Sequence, residues 1–185
     1  METGNTLLMK KYQIVYADPP WPHKSGSEQM IVPYPVMSIE RIRSLPVQKI
    51  IARDAVLFLW ATDKFLPAAL KVMQAWGFRY VTLAFIWEKL TKYKKLHLIR
   101  GAWTYKSTEL CLLGSKGHPH KFLKQKSKAL IKPPVTRHSE KPLQARQRIE
   151  AMFSESNINK LELFARKKFP GWDAWGNEVK CDIKL

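Results

Sequence analysis

Short apolar runs alternate with amphipathic stretches along the chain, and this alternation predicts an α/β fold. Residues 12–17 and 55–61 are continuous apolar runs, which are typical of strands buried on both faces of a sheet. Residues 78–87, 104–114 and 161–165 have the composition of three further strands. The pattern therefore predicts a central sheet of at least five strands.

Three stretches with helical periodicity separate these runs. The first begins after Ser38, whose hydroxyl suits an N-cap, and ends at Pro46. The second follows Thr62 and stops at Gly77, and the third covers residues 142–153. Strands that alternate with helices predict a doubly wound sheet that is mostly parallel.

The length of 185 residues suits one domain spanning 1–185 with a single sizeable core. No apolar run reaches the length of a membrane span, and residues 1–11 lack the apolar core of a secretory signal, so we expect a soluble cytoplasmic protein.

Cys111 and Cys181 form no Cys-x-x-Cys pair, and the histidines lack a partner set, so no disulfide or metal site is predicted. Cys111 lies in an apolar run and is expected to be a buried thiol.

The balance of charge points to a polyanionic partner. The chain carries 32 Lys and Arg against 15 Asp and Glu, a formal net charge of +17. Nucleic acid is the first candidate and an anionic membrane surface the second, while the plain alternative is solvated loops that keep the protein soluble. Much of the charge lies in two loop-like stretches at about 88–106 and 115–139, and the first interleaves its cations with aromatic residues. The candidate phosphate contacts are Lys92, Lys94, Lys95, Arg100, Lys121 and Lys124.

Asp18-Pro19-Pro20-Trp21 follows the first predicted strand directly. Ligands of open α/β sheets bind beyond the carboxyl ends of the strands, so this is a favourable place for a site. Asp18 can accept an N–H from an amine, the two prolines present carbonyl oxygens in a stiff segment, and Trp21 offers a face for stacking on a base. A simple turn is the alternative explanation. The combination favours a site that holds a planar base by its amino group.

Two later blocks accompany this motif. The second block is His-Ser-Glu-Lys-Pro at 138–142, and the third joins Glu-Leu-Phe-Ala-Arg at 162–166 to the Gly-Trp-Asp-Ala-Trp-Gly-Asn-Glu run at 171–178. The three blocks resemble the MT-A-seventy (MT-A70) family of adenine-N6 methyltransferases in its bacterial and phage form, and they stand in family order over about residues 12–180. The resemblance implies a Rossmann-like class I methyltransferase fold in which the substrate motif precedes the cofactor motif, a permuted order. It also implies S-adenosylmethionine as the methyl donor.

The resemblance further implies roles for individual residues. The methyl-transfer site would consist of Asp18, Pro19, Pro20 and Trp21, with Tyr34 lining the base pocket. Asp18 would also lie close to the methyl donor. The other donor contacts would come from Ser139, Lys141, Pro142, Glu162, Phe164, Arg166, Asn177 and Glu178.

The resulting hypothesis is direct methyl transfer from S-adenosylmethionine to the exocyclic amine of a flipped or unpaired adenine in DNA. An RNA adenine-N6 methyltransferase is the alternative within the enzyme class, because the motif reads the base and not the sugar. A nucleic-acid-binding partner subunit without catalytic activity is the alternative outside that class. A homodimer also stays open, since the two basic stretches mix apolar and charged residues.

Overall fold

The computed structural model describes residues 10–22, 36–135, 140–155 and 157–185. Within these residues the chain forms one sheet of seven strands. The strands are β1 (Tyr12–Ala17), β2 (Ile51–Ala61), β3 (Arg79–Glu88), β4 (Thr108–Lys116), β5 (Leu130–Ile131), β6 (Lys160–Leu163) and β7 (Asp173–Trp175). The helices are α1 (Ile39–Ser44), α2 (Leu66–Ala75) and α3 (Leu143–Met152), with short 3-10 turns at Val47–Lys49, Asp63–Phe65 and Pro119–Phe122.

The strands lie in the order β5-β3-β4-β2-β1-β6-β7. Four pairings are parallel, namely β1 with β2, β1 with β6, β6 with β7, and β3 with β5. The strand β4 runs antiparallel to both of its neighbours, β2 and β3. The α/β fold with a mostly parallel sheet is thus confirmed, and the reversed β4 makes the sheet mixed.

Buried side chains cover both faces of the sheet. On one face, Val15 of β1 belongs to a cluster that includes buried residues of α1 and α2. On the other face, its neighbour Tyr16 belongs to a cluster that includes Ala145 and Ile149 of α3. Burial on two faces explains why β1 and β2 read as continuous apolar runs instead of alternating ones.

The helix boundaries follow the expected chemistry at two of three positions. The Arg41 N–H donates to the Ser38 hydroxyl at 3.2 Å, so the predicted N-cap is confirmed. Gly77 has a φ of +83°, the left-handed conformation expected just after a helix. Thr62 makes no side-chain capping bond, because a 3-10 turn separates it from α2. Within the described ranges, no helix is long and apolar enough to span a lipid bilayer.

Several strand boundaries were only approximate. The strand β2 begins at Ile51, four residues before the apolar run, and β4 begins at Thr108, four residues after the predicted start. The strands β5 and β7 were not predicted, because two- and three-residue strands leave little periodicity in a sequence. Cys111 is fully buried in β4, as expected.

The topology gathers several chain segments at one edge of the sheet. Ala17, the last residue of β1, pairs with Leu59 on one side and with Leu163 on the other, and Leu163 pairs in turn with Trp175. On the antiparallel strand, Leu110 lies opposite the last residue of β2. The residues after β1, β6 and β7 and those before β4 therefore meet at the carboxyl end of β1. This is the switch point at which the chain turns from one side of β1 to the other, where ligands of such sheets bind.

Candidate functional site

The segment from Asp18 to Trp21 forms a tight turn at the end of β1. The Trp21 N–H donates to the Pro19 carbonyl at 2.8 Å, and the Pro20 carbonyl accepts the Met37 N–H at 2.9 Å. Each carbonyl oxygen has two lone pairs, so either can accept a second hydrogen bond. The proline carbonyls can therefore still serve as acceptors for an amine, as the sequence predicts.

Trp21 is a wall of the site and not the open stacking platform that the sequence suggested. Its side chain is only 6% exposed, and it stacks on Phe65 with ring centroids 5.7 Å apart at 12°. Its indole N–H donates to the Trp60 carbonyl at 3.0 Å. The ring packs against the apolar core at the end of β1, because burial of its large apolar surface stabilises the fold.

Two ammonium groups and two carboxylates form a cluster beside this turn. The Lys141 Nζ lies 2.7 Å from Asp18 Oδ2 and 3.2 Å from Glu109 Oε2. Glu109 also forms an ion pair with Lys89. The side chains of Lys141 and Glu109 are 11% and 10% exposed, and that of Asp18 is 29% exposed. Each buried charge thus has an opposite partner, which charges removed from water require.

The cluster shifts the pKa of its members in different directions. Burial raises the pKa of Asp18; the Lys141 ammonium opposes this effect and the Glu109 carboxylate adds to it. Although burial alone would lower the pKa of Lys141, the two carboxylates raise it. Burial likewise opposes ionisation of Glu109, but the ammonium groups of Lys141 and Lys89 hold its pKa below the usual range. Asp18 is therefore the member of the cluster that acid neutralises first.

Glu109 is a site residue that the sequence analysis missed. A signal existed, because Glu109 is the sole acid between Glu88 and Glu140, in a stretch rich in Lys and Arg. It directly precedes the apolar part of β4, which places it at the sheet edge beside Lys141. A carboxylate whose pKa is set by burial and by two ammonium groups, in a cleft, is a candidate functional residue.

The end of β6 holds Phe164 in an unusual conformation. Its φ of +62° is in the left-handed region, and its ring packs at 6.4 Å from Trp76 and 5.5 Å from Trp175. Such a conformation costs about 1–3 kcal/mol and persists where packing imposes it. Next to it, the Ala165 N–H donates to the Trp175 carbonyl at 2.9 Å, and a Cβ on Gly176 would lie 2.2 Å from the Ala165 carbonyl oxygen. The close approach of these two segments requires glycine at 176.

Polar groups follow Phe164 and Gly176 on the two segments. Arg166 Nε donates to Glu178 Oε1 at 2.9 Å, and both side chains are 44% exposed. Asn177 lines the same cavity beside them. Carboxylate, amide and guanidinium groups together offer both acceptors and donors for a vicinal diol such as that of a ribose.

Two adjoining cavities, of about 460 Å³ and about 710 Å³, open at this edge. Both volumes lie in the range typical of small-ligand sites. The residues that line both cavities are Asp18, Lys141, Phe164, Arg166 and Glu178. The first cavity adds Pro19, Pro20, Trp21 and Asn177, and the second adds Pro142 and Glu162. The catalytic and cofactor residues expected from the sequence thus line one cavity or both, except Ser139, which lies outside the described residues.

Arg146 is a second residue that the sequence analysis missed. It is 5% exposed, lines the second cavity and donates to Glu162 Oε2 at 2.5 Å. Its guanidinium carbon lies 3.7 Å from the ring centroid of Phe169 and 4.8 Å from that of Trp172. Burial raises the pKa of Glu162 while the guanidinium opposes this shift. In the sequence Arg146 is one of two arginines on the predicted helix, and nothing in its spacing distinguishes it from an arginine exposed to solvent.

The expected phosphate contacts do not line the two cavities. Lys121 forms an ion pair with Asp54, and Lys124 forms one with Glu155, both at 2.5 Å. The other four are exposed in the connection between β3 and β4: Lys92, Lys94, Lys95 and Arg100. Tyr34, expected in the base pocket, lies outside the described residues.

Comparison with known proteins identifies the family. The MT-A70 family model matches residues 12–178. The Type II methyltransferase M.MunI of Mycoplasma sp. is 33% identical, over 94% of this chain and 80% of its own length. The N(6)-adenosine-methyltransferase subunit METTL3 of Danio rerio is 30% identical over 93% of this chain, and the human catalytic subunit METTL3 is 29% identical, but the chain spans only 29% of either. These matches cover nearly the whole sheet and the site at the end of β1, and they show that the chain belongs to the MT-A70 family of adenine-N6 methyltransferases.

Proposed function

We propose that this protein transfers the methyl group of S-adenosylmethionine directly to the exocyclic amine of adenine in DNA. The observation that carries the proposal is the convergence at one sheet edge of Asp18 and its prolines with Lys141, Phe164 and Asn177. These residues lie far apart in the sequence and line cavities that adjoin at Asp18. Two reactants bound in adjoining cavities meet at such a boundary, which is the arrangement that a direct transfer requires.

The residues at the boundary fit the parts of the donor. S-adenosylmethionine, when bound, supplies an electrophilic methyl group on its sulfonium centre. Lys141 carries the positive charge suited to a carboxylate, and Asp18 is an acceptor for an ammonium group. Asn177 and Glu178 offer donors and acceptors for ribose hydroxyls, and the Phe164 ring offers an apolar face.

The turn at the end of β1 suits the activation of an adenine amine. The amine is a weak nucleophile, because its lone pair is delocalised into the ring. Hydrogen bonds from its two N–H groups to the Asp18 carboxylate and the Pro19 carbonyl would hold the nitrogen with its lone pair directed at the methyl group. As the nitrogen–carbon bond forms, the sulfur–carbon bond of the donor would break, the sulfur would leave as a neutral thioether, and the nitrogen must lose a proton. Asp18 is the acceptor in place, and its raised pKa favours that role.

DNA is the proposed polymer because the relative of similar length is a Type II methyltransferase. The chain covers 80% of the Type II methyltransferase but 29% of the zebrafish METTL3 subunit. The name of the METTL3 subunit specifies adenosine, a ribonucleoside, which makes RNA the second candidate. The target base must leave the stack to reach Asp18, which costs a few kcal/mol in a duplex and less in an unpaired strand.

The test is methyl transfer from labelled S-adenosylmethionine to single-stranded DNA, duplex DNA and RNA, with mass spectrometry of the product nucleosides. Asp18→Ala is the loss-of-function control, and Asp18→Asn separates the charge of this residue from its volume. We expect N6-methyladenine with the wild type alone, and a greater yield from DNA than from RNA. A product methylated elsewhere, or equal activity in Asp18→Ala, would contradict the proposal.

Calorimetry with the donor addresses the non-catalytic alternative. A partner subunit would bind DNA without measurable heat from S-adenosylmethionine. The proposed enzyme binds the donor, and Asn177→Ala and Glu162→Gln report which cavity holds it. Size measurement in solution with and without DNA addresses the homodimer.

A further inference from the structure

The connection between β3 and β4 forms a hairpin of its own, residues 89–107, called here the basic hairpin. Ile99 and Lys106 exchange both backbone hydrogen bonds, at 2.7 and 2.8 Å. Nearer its base, the His97 N–H donates to the Lys89 carbonyl at 2.9 Å. Hydrogen bonds of its own backbone therefore hold the hairpin together.

Large apolar side chains are concentrated on the basic hairpin and are open to solvent. Trp103 is 97% exposed, and Tyr93 and Tyr105 are each 72% exposed. The twelve large hydrophobic side chains that stand exposed among the described residues include six from this hairpin: Tyr93, Leu96, Leu98, Ile99, Trp103 and Tyr105. A concentration of this kind in so short a segment marks an interaction surface.

The charges on the basic hairpin define the chemistry of its partner. Residues 89–106 contain six Lys or Arg and no acid. A partner must therefore offer negative charge together with planar apolar faces, and nucleic acid offers phosphates and bases. A second copy of this chain is a poor partner, because it would place one cationic hairpin against another in proteins of net charge +17.

The base of the basic hairpin is joined to the catalytic cluster. Lys89 at one end forms an ion pair with Glu109, which contacts Lys141 and through it Asp18. At the other end, Lys106 forms an ion pair with Asp63 at 2.7 Å, in the 3-10 turn whose Phe65 lines the first cavity. A nucleic-acid strand that runs along the hairpin to its base would therefore arrive at the first cavity.

We propose that the basic hairpin binds an unpaired nucleic-acid strand next to the target adenine. Trp103, Tyr105 and Tyr93 stack on neighbouring bases, while the hairpin cations contact the phosphates. This inference rests on the proposed function and deepens it, because bases in an intact duplex are stacked on each other and their faces are closed to these side chains. The substrate class that follows is a single strand or a locally opened duplex.

The experiment measures binding of a fluorescent oligothymidylate by anisotropy over a series of salt concentrations. The probe contains no adenine, so binding is read without methyl transfer. We expect Trp103→Ala to weaken binding by about 5- to 150-fold, the loss typical of one stacked base, with an unchanged slope of log affinity against log salt. Lys94→Gln and Lys95→Gln should each lower that slope by about 0.7, the value for one phosphate contact on a single strand.

Tyr80→Ala is the matched control, because Tyr80 is an exposed aromatic residue of β3 outside the basic hairpin. It should leave the affinity unchanged, and circular dichroism should show each variant folded. Unchanged affinity in Trp103→Ala would overturn the inference, as would an equal loss for a duplex of the same length. A dimer that dissociates in Trp103→Ala while oligothymidylate binding persists would instead identify a subunit contact. If the wild type transfers methyl groups, any of these three results would leave the proposed function standing.

Discussion

Replacement of Lys141 by methionine tests the buried charge cluster directly. The substitution keeps the length of the side chain and removes the ammonium that contacts Asp18 at 2.7 Å and Glu109 at 3.2 Å. Both carboxylates then stay in place with less compensation. The free energy of unfolding should fall, because an uncompensated charge in the protein interior is costly.

The structure sets the magnitude of this loss. Removal of one partner from a buried ion pair costs about 3–5 kcal/mol. Glu109 keeps its second partner, Lys89, and Asp18 is 29% exposed and therefore partly hydrated. Both features reduce the cost, so we expect about 3 kcal/mol, the lower end of the range. With an m-value of about 2 kcal/mol per molar urea, the unfolding midpoint falls by about 1.5 M.

The loss should depend on pH with a defined sign. Lys141 is the largest influence that lowers the pKa of Asp18, so its removal raises that pKa further above the ordinary value of 3.8. An acid whose pKa is raised by folding destabilises the folded state above that pKa, and protonation relieves the cost as the pH falls through it. The difference between the variant and the wild type should therefore be largest near neutral pH and shrink in acid.

The assay is urea unfolding at several pH values, followed by tryptophan fluorescence. Lys124→Met is the matched control, since Lys124 pairs with Glu155 at 2.5 Å with half of its side chain exposed, and such surface pairs contribute less than about 1 kcal/mol. A Lys141→Met loss no greater than that of the control would refute the argument. A loss that grows as the pH falls would refute it equally.

Three further predictions concern the same site. Asp18→Asn should slow methyl transfer by about 10²- to 10⁴-fold. The wild-type rate should fall in acid with a midpoint above pH 3.8, because burial raises the pKa of Asp18. A single-turnover rate that does not change with pH down to 3.8 would contradict this. Arg146→Met leaves Glu162 without its 2.5 Å partner and should raise the donor KM more than it lowers kcat; an unchanged KM would mean that Arg146 acts on stability alone. Gly176→Ala places a Cβ 2.2 Å from the Ala165 carbonyl oxygen and should destabilise the protein by about 1–3 kcal/mol, measured by thermal unfolding against the wild type. An unchanged midpoint would contradict it.

Features encoded in neighbouring residues could be predicted from the sequence. The run that forms β1 has a continuous apolar pattern, and its boundaries were predicted to the residue. The Ser38 cap and the Gly77 stop likewise depend on a single side chain or its absence. The position of the Asp18 motif at a strand end follows from the same local pattern.

Features that depend on distant residues could not be predicted in this way. The apolar run of β4 has the same composition whichever direction it takes, so its antiparallel pairing is decided by the hairpin and sheet around it. Arg146 is buried because Glu162 and three aromatic rings surround it, and none of these is near it in the chain. The packing of Trp21 on Phe65 is likewise a tertiary contact, and it turned an expected stacking face into a wall.

The sheet order also explains why a permuted order of motifs can build one site. The substrate motif follows β1, and the proposed cofactor residues at 164–166 and 177–178 follow β6 and β7, about 145 and about 160 residues later in the sequence. In the sheet β1 lies directly beside β6, with parallel register from Ile14 to Ala17, so both segments end at the same edge. The site needs neighbouring strands that point the same way, and it places no condition on which strand comes first. Because β1 and β6 are neighbours and parallel, the two cavities adjoin at Asp18, where transfer is proposed to occur.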